Sequence, residues 1–386
     1  MSRFTEIVDR TQTRSVKWDL VEKMFENQDV LPMWVADMDF KAPEAVIDAL
    51  TERAQHGVFG YTVPDEYVHG TIQKWLSAKH DWNTNTDWLT YSPGVVPSLH
   101  TIVEALTNRG DSILIQTPVY PPFYSVIEDH EREILKNPLV LREGRYEIDF
   151  TSFEEELKKG VSLFILCNPH NPVGRVWTEE ELRKMADLCL MYNVPIVSDE
   201  IHSDLIYRNH KHVPIASLSE DISKETITLL SPTKTFNLAG IQGSYIVTPD
   251  EHKKEKIDRQ FGLQGIKMLN VFAITALEAA YTEGDEWLQE LIDYLEGNKQ
   301  YVIDTISTST DKIKVIEPEG TYLIWLDCRG LGLEHEELKH FMQHKAKVGL
   351  NDGASFGEEG EGFMRINIAC PRATLEEGIR RITEAL

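Results

Sequence analysis

A lysine set among small hydroxyls is the sharpest chemical feature of the chain. Lys234 lies in Ser231-Pro-Thr-Lys-Thr-Phe-Asn-Leu-Ala-Gly240, just past the apolar run 227–230. If that run is a strand of an α/β sheet, the lysine projects beyond its carboxyl end, where ligands of such sheets sit. An amine there, beside the hydroxyls of Ser231 and Thr233, suits an aldehyde cofactor that carries a phosphate. The amine forms the imine and the hydroxyls bind phosphate oxygens. Taken alone, the motif suits a solvated surface lysine better.

Four further segments could complete such a site. Asp199, in Ser198-Asp-Glu-Ile-His202, follows another strand-like run. It could pair with a protonated pyridine nitrogen and so make the ring an electron sink, or it could simply cap a helix. Asn168-Pro-His-Asn-Pro-Val-Gly174 forces a tight turn that can present Asn171 to a phenolic oxygen. Ser92-Pro-Gly-Val-Val96 opens a helix, and the amides of Val95 and Val96 would form an anion site. Tyr120, in Thr117-Pro-Val-Tyr-Pro-Pro-Phe123, could stack on an aromatic ring or be an ordinary buried aromatic. In the C-terminal part, Arg365 of Met364-Arg-Ile-Asn367 could grip an α-carboxylate with both arms of its fork or serve a surface ion pair.

The elements needed to hold these residues are visible in the pattern. Residues 112–115, 163–166, 195–198 and 227–230 are short apolar or β-branched runs, suited to strands buried on both faces. Between them, Thr178-Glu-Glu-Glu181 reads as a capping box opening a helix to about 192, and 95–108 is apolar at helical spacing. Repeated strand–helix–strand units predict a mainly parallel α/β sheet flanked by helices. After about 283 the texture changes. A long helix (about 286–308), strands near 314–317, 322–326 and 363–369, and a helix near 334–347 predict a smaller α+β unit.

Composition narrows the class. The net charge of −24 repels nucleic acid and anionic lipid, so an anionic ligand must be held by local donors. The four cysteines, Cys167, Cys189, Cys328 and Cys370, form no C-x-x-C pair, so neither a zinc site nor a disulfide framework is expected. The first sixteen residues carry charges and no apolar core of a leader, and no run of about 18 apolar residues exists. A cytoplasmic protein without a metal, a membrane span or a nucleic-acid partner is the expectation.

Together, Tyr120, Asn171-Pro-Val-Gly174, Asp199, Ser231-x-x-Lys234 and Arg365 resemble the class I/II aminotransferase family of fold-type I pyridoxal-phosphate enzymes. The match spans nearly the whole chain. The resemblance implies pyridoxal 5'-phosphate as cofactor, with Lys234 as the Schiff-base lysine and Asp199 at the pyridine nitrogen. Asn171 would contact the ring hydroxyl, and Tyr120 would stack on the ring. Ser231, Thr233 and the Val95 and Val96 amides would hold the phosphate, and Arg365 the carboxylate of an amino-acid substrate. It also implies a homodimer with active sites at the interface, where Tyr61 of Gly60-Tyr61-Thr62 reaches the neighbouring phosphate and assists proton transfer. The fold implied is a large domain over 41–285 and a small one from 1–40 with 286–386. Two positions depart from the pattern. His202 stands where a tyrosine is frequent and is carried over as a cofactor contact, and Gln242 replaces an arginine at the phosphate. Pro32-Met-Trp-Val-Ala-Asp-Met-Asp-Phe40, Arg175-Val-Trp-Thr-Glu-Glu180 and Asp199-Glu-Ile-His-Ser-Asp204 resemble the cystathionine β-lyase branch. That implies α,β-elimination of cystathionine or cysteine conjugates to thiol, pyruvate and ammonia. The alternatives are an aminotransferase of a neutral or aromatic amino acid and, remotely, a non-enzymatic ligand-sensing module.

Overall fold

Seven strands build the main sheet: β1 (Leu89–Ser92), β2 (Ser112–Thr117), β3 (Glu133–Pro138), β4 (Val161–Cys167), β5 (Ile196–Asp199), β6 (Thr226–Leu230) and β7 (Ser244–Val247). The computed structural model describes residues 2–266 and 268–386; Met1 and Lys267, which fall in the two expected domains, lie outside the described residues. The order across the sheet is β1-β7-β6-β5-β4-β2-β3. All neighbours are parallel except β7, which runs antiparallel to both β6 and β1.

Alternation along the strands explains why these runs are apolar throughout. Ile113, Ile115, Leu163, Ile165, Val197 and Ile227 face one side, packed with Leu99, Ile102 and Val103 of the helix Val95–Leu106. Leu114, Phe164, Leu166 and Ile196 face the other, packed with Leu182, Met185 and Cys189 of the helix Glu179–Met191. Successive side chains on a strand point to opposite faces, so a sheet covered on both sides needs no polar alternation. The second helix begins with the expected capping box: Thr178 Oγ1 accepts from the Glu181 amide, and Glu181 accepts from the Thr178 amide.

A second, antiparallel sheet has the order β8 (Lys314–Ile316), β9 (Leu323–Asp327), β11 (Phe363–Asn367), β10 (Asn351–Asp352). The long helix Asp285–Ser309 packs behind it through Leu291, Leu295, Val302 and Ile306. The helix expected over 334–347 is shorter, His335–His340, and closes through a wide turn in which the Ala346 amide donates to Phe341 O.

Residues 31–40 form a strap between the two sheets. Leu31–Pro32 pairs in parallel with Val348–Gly349. The Asn367 amide donates to Met33 O and the Asp39 amide to Ala369 O. Two strap carboxylates are neutralised from the N-terminal segment: Arg10 pairs with Asp37 and Asp39, both at 2.6 Å, and the buried Lys17 pairs with Asp39 at 2.6 Å. Asp39 thus has two cationic partners, and removing one would leave this buried carboxylate with a single counter-charge. No helix among the described residues is long and apolar enough to cross a membrane.

Candidate active site

Register brings the chemical residues to one edge. Cys167 of β4 lies opposite Asp199 of β5, which lies opposite Leu229 of β6. The three strands therefore end level, and the turns that leave their carboxyl ends line one shared crevice.

After β4 the turn 168–174 folds tightly. His170 and Arg175 exchange a bridge, and the Asn171 amide donates to Cys167 Sγ at 3.4 Å. Gly174 has φ +74, and a Cβ there would stand 2.6 Å from Pro318 Cβ, so only glycine fits. The turn is locked to the loop before β9 by Arg175, whose Nε donates to Glu319 at 2.9 Å while NH2 donates to Glu181. The result aims the Asn171 side chain at Arg365: NH1 donates to Asn171 Oδ1 at 3.0 Å, which leaves the Asn171 amide nitrogen as its outward donor.

After β6, Ser231 caps a four-residue helix, Pro232–Thr235, by accepting from the Thr233 amide. Lys234 is its third residue, half-buried, with Nζ donating to Ala36 O of the strap at 2.6 Å. Nearly every strap carbonyl has a donor of its own. Arg365 NH2 reaches Trp34 O, Asn367 Nδ2 reaches Val35 O and Asp37 O, and Asn237 Nδ2 reaches Met38 O and Phe40 O. Tyr322 donates its hydroxyl to Ala36 O at 2.9 Å.

Burial sets the electrostatics. The Lys234 amine is pushed down to about 8, first by desolvation and then by the Arg365 guanidinium, against the pull of Asp37 and Asp199. Burial pushes the Asp199 carboxyl up to about 7, against the Ile201 amide (3.1 Å) and the Lys234 charge. Burial lowers Arg365 to about 10 and drives His202 well below the usual imidazole range, beside the Lys234 and Arg365 charges, so His202 is neutral. Tyr120, half-buried, is raised by burial and by the facing Asp199. An acid shifted up and an amine shifted down side by side are what acid–base chemistry near neutral pH requires, which makes this a candidate site.

The residues fit pyridoxal phosphate. Two buried polar atoms here lack partners, His202 Nδ1 and Arg365 Nε. The Asp199 carboxylate, 4% exposed, accepts from one backbone amide among the described residues, which leaves it acceptor capacity for a cationic partner. The helix Val95–Leu106 starts at Gly94 with no side-chain cap, so its first amides are open to an anion.

Of the residues singled out from sequence, Lys234, Asp199, Asn171, Arg365, Tyr120 and His202 converge through the contacts and charges above. Ser231 stands one turn before Lys234 and Thr233 directly before it, but their hydroxyls bond each other at 2.7 Å, and Ser231 also donates to Gly243 O. Their protons must reorient to serve an anion. Tyr61 is 95% exposed, outside the crevice of its own chain. Sequence reasoning passes over Tyr322, Asn351, Asn367 and the strap carbonyls. Asn351 accepts from Arg365 NH2 at 2.6 Å. Asn367 shares a strand face with Arg365 two residues before it, a spacing that could have marked it.

The family model for aminotransferase class I and II matches residues 28–382. Cystathionine beta-lyase PatB of Bacillus subtilis is 48% identical over 384 residues, covering 99% of each chain. Cystalysin from Treponema denticola, whose crystal structure contains pyridoxal 5'-phosphate, superposes with a TM-score of 0.97 at 36% identity, covering 100% of this chain and 98% of that one. The PLP-bound C-S lyase of Staphylococcus hominis superposes with a TM-score of 0.93 at 32% identity, covering 99% and 97%.

Proposed function

The chain belongs to the aminotransferase class I and II family, and on that premise we propose that it is a pyridoxal-phosphate-dependent carbon–sulfur β-lyase. Its substrates are cystathionine or cysteine conjugates. The full-length likeness to PatB, at 48% identity, carries the reaction. The convergence of Lys234, Asp199, Asn171 and Arg365 in one crevice supports the roles given to them.

When bound, pyridoxal phosphate supplies an aldehyde for amines and a sink for negative charge at the substrate's α-carbon. Lys234 would hold it through Nζ, Asp199 would pair with its ring nitrogen, and Asn171, Tyr120 and His202 would meet its ring. The amides of Val95 and Val96, with Ser231 and Thr233, would take its phosphate. Arg365 orients the substrate by its carboxylate, its own fork steadied by Asn171, Asn351 and Trp34 O. Lys234, freed by the incoming amino group, takes the α-proton onto Nζ; an amine near 8 is matched to that work. The carbon–sulfur bond then breaks with its electron pair on sulfur, which leaves as thiolate. The remaining three-carbon fragment hydrolyses to pyruvate and ammonia.

The exposed position of Tyr61, with Val58, Phe59 and Val63 also exposed around it, supports a homodimer in which Tyr61 completes the partner's site. The two sheets support a division into 41–285 and 1–40 with 286–386.

Lys234→Ala tests the scheme: turnover of L-cystathionine falls to background while the fold, read by circular dichroism, is retained. Full turnover without Lys234 would sink it.

A further inference from the structure

We propose that Tyr322 is a positioning residue for Lys234, acting through the carbonyl oxygen that both share, that of Ala36. The inference rests on the reading of Lys234 as the base. Ala36 O accepts from Lys234 Nζ at 2.6 Å and from the Tyr322 hydroxyl at 2.9 Å. Tyr322 is fully buried, and the His202 ring stands edge-on to it at 5.8 Å. The peptide bearing Ala36 O is held on both sides, because Asn367 Nδ2 donates to Val35 O and to Asp37 O, each at 2.6 Å. The oxygen therefore cannot swing to follow the amine.

A carbonyl oxygen accepts along two lone-pair directions. Tyr322 takes one and leaves Nζ the other. One N–H of the freed amine is thereby committed to a fixed point, and its lone pair is turned away from the strap. Sharing the oxygen also acts on protonation. An ammonium donates more strongly than an amine, so it loses more when a second donor competes for the acceptor. Tyr322 thus favours the unprotonated base. Its own hydroxyl stays neutral, since burial pushes its ionisation far above the working range. The other groups facing Lys234 are Arg365 from β11, which disfavours the ammonium, and Asp37 from the strap and Asp199 from β5, which favour it. His202, after β5, is neutral. Tyr322→Phe changes none of them and keeps the ring.

Two readouts test this. In the first, the full chain stripped of cofactor is mixed with pyridoxal phosphate, and the rate of uptake is followed by absorbance as a function of pH. Uptake tracks the free amine, and its midpoint in Tyr322→Phe moves upward by about half a pH unit. In the second, the cofactor-loaded protein exchanges the α-proton of L-alanine with deuterated water. Here kcat falls roughly fivefold while KM stays within about twofold, as expected when only proton transfer is touched. An unmoved midpoint with unchanged exchange overturns the proposal. So does a joint change in kcat and KM with a lowered melting temperature, which marks general loosening. L-alanine has no leaving group, so a wild type that exchanges but releases no thiol from cystathionine refutes the elimination and leaves this inference standing. A wild type that does not exchange refutes Lys234 as the base.

Discussion

Replacing Arg365 with lysine keeps the positive charge and removes the fork. In the structure NH1 donates to Asn171 at 3.0 Å, NH2 donates to Asn351 at 2.6 Å and to Trp34 O at 3.1 Å, and Nε is buried without a partner. A substrate carboxylate meets a guanidinium with two parallel charge-assisted bonds, whereas an ammonium offers one point. Losing one such bond costs about 1.5–3 kcal/mol. At about 1.4 kcal/mol per decade, that is roughly a 10- to 150-fold loss of affinity. The lysine also cannot satisfy Asn171, Asn351 and Trp34 O together, which places the effect in the upper half of that range. The carboxylate is bound throughout the reaction, so the loss falls on KM more than on kcat. The assay is steady-state thiol release from L-cystathionine, with the α-carboxamide analogue as control. Wild type and Arg365→Lys should differ for the acid and converge for the amide. A KM for the acid within about threefold of wild type would refute the assignment of Arg365 to the carboxylate.

Turnover should follow the Lys234 amine. A base works only unprotonated, so kcat rises as pH climbs through about 8 and levels above it; a flat profile across that value contradicts the base assignment. Asp37 favours the ammonium, so Asp37→Asn should move this limb to lower pH, read from the same profile. Glu319→Gln removes the carboxylate that accepts from Arg175 Nε, Arg145 Nε and the Val176 amide, and leaves a guanidinium only 2% exposed undercompensated. Urea denaturation should show a loss of about 3 kcal/mol, and a loss below about 1 kcal/mol would show that Glu181 alone suffices for Arg175.

The four central strands are legible in the sequence because they are buried on both faces, which makes them continuous apolar runs bounded by turn residues. β7 carries the same mark, with Tyr245, Ile246 and Val247 fully buried, but its apolar run is only three residues long; β1 and β3 carry none. β3 begins with Glu133 and ends with Pro138, and lies at the sheet edge, where burial imposes no apolar pattern. Lys234, Asp199 and Asn171 are legible because their chemistry is local: each sits at or directly after the end of a strand. Arg365 and the strap are harder to read. The strap acts through backbone carbonyls, which carry no residue identity, and its donors come from residues 237, 322, 365 and 367, far off in sequence. Tyr322 reads as the first residue of a strand and nothing more. Ser231 reads as a phosphate ligand from its type and place; the bonds it makes, donating to Gly243 O and accepting from the Thr233 amide, are not legible in the sequence.

The most direct test of the central claim is turnover of L-cystathionine by the purified, cofactor-loaded protein with no keto acid present. Free thiol and pyruvate should appear together, in equal amounts and over many turnovers. Absence of both, with a new amino acid formed only once a keto acid is added, would contradict β-elimination and make the enzyme an aminotransferase.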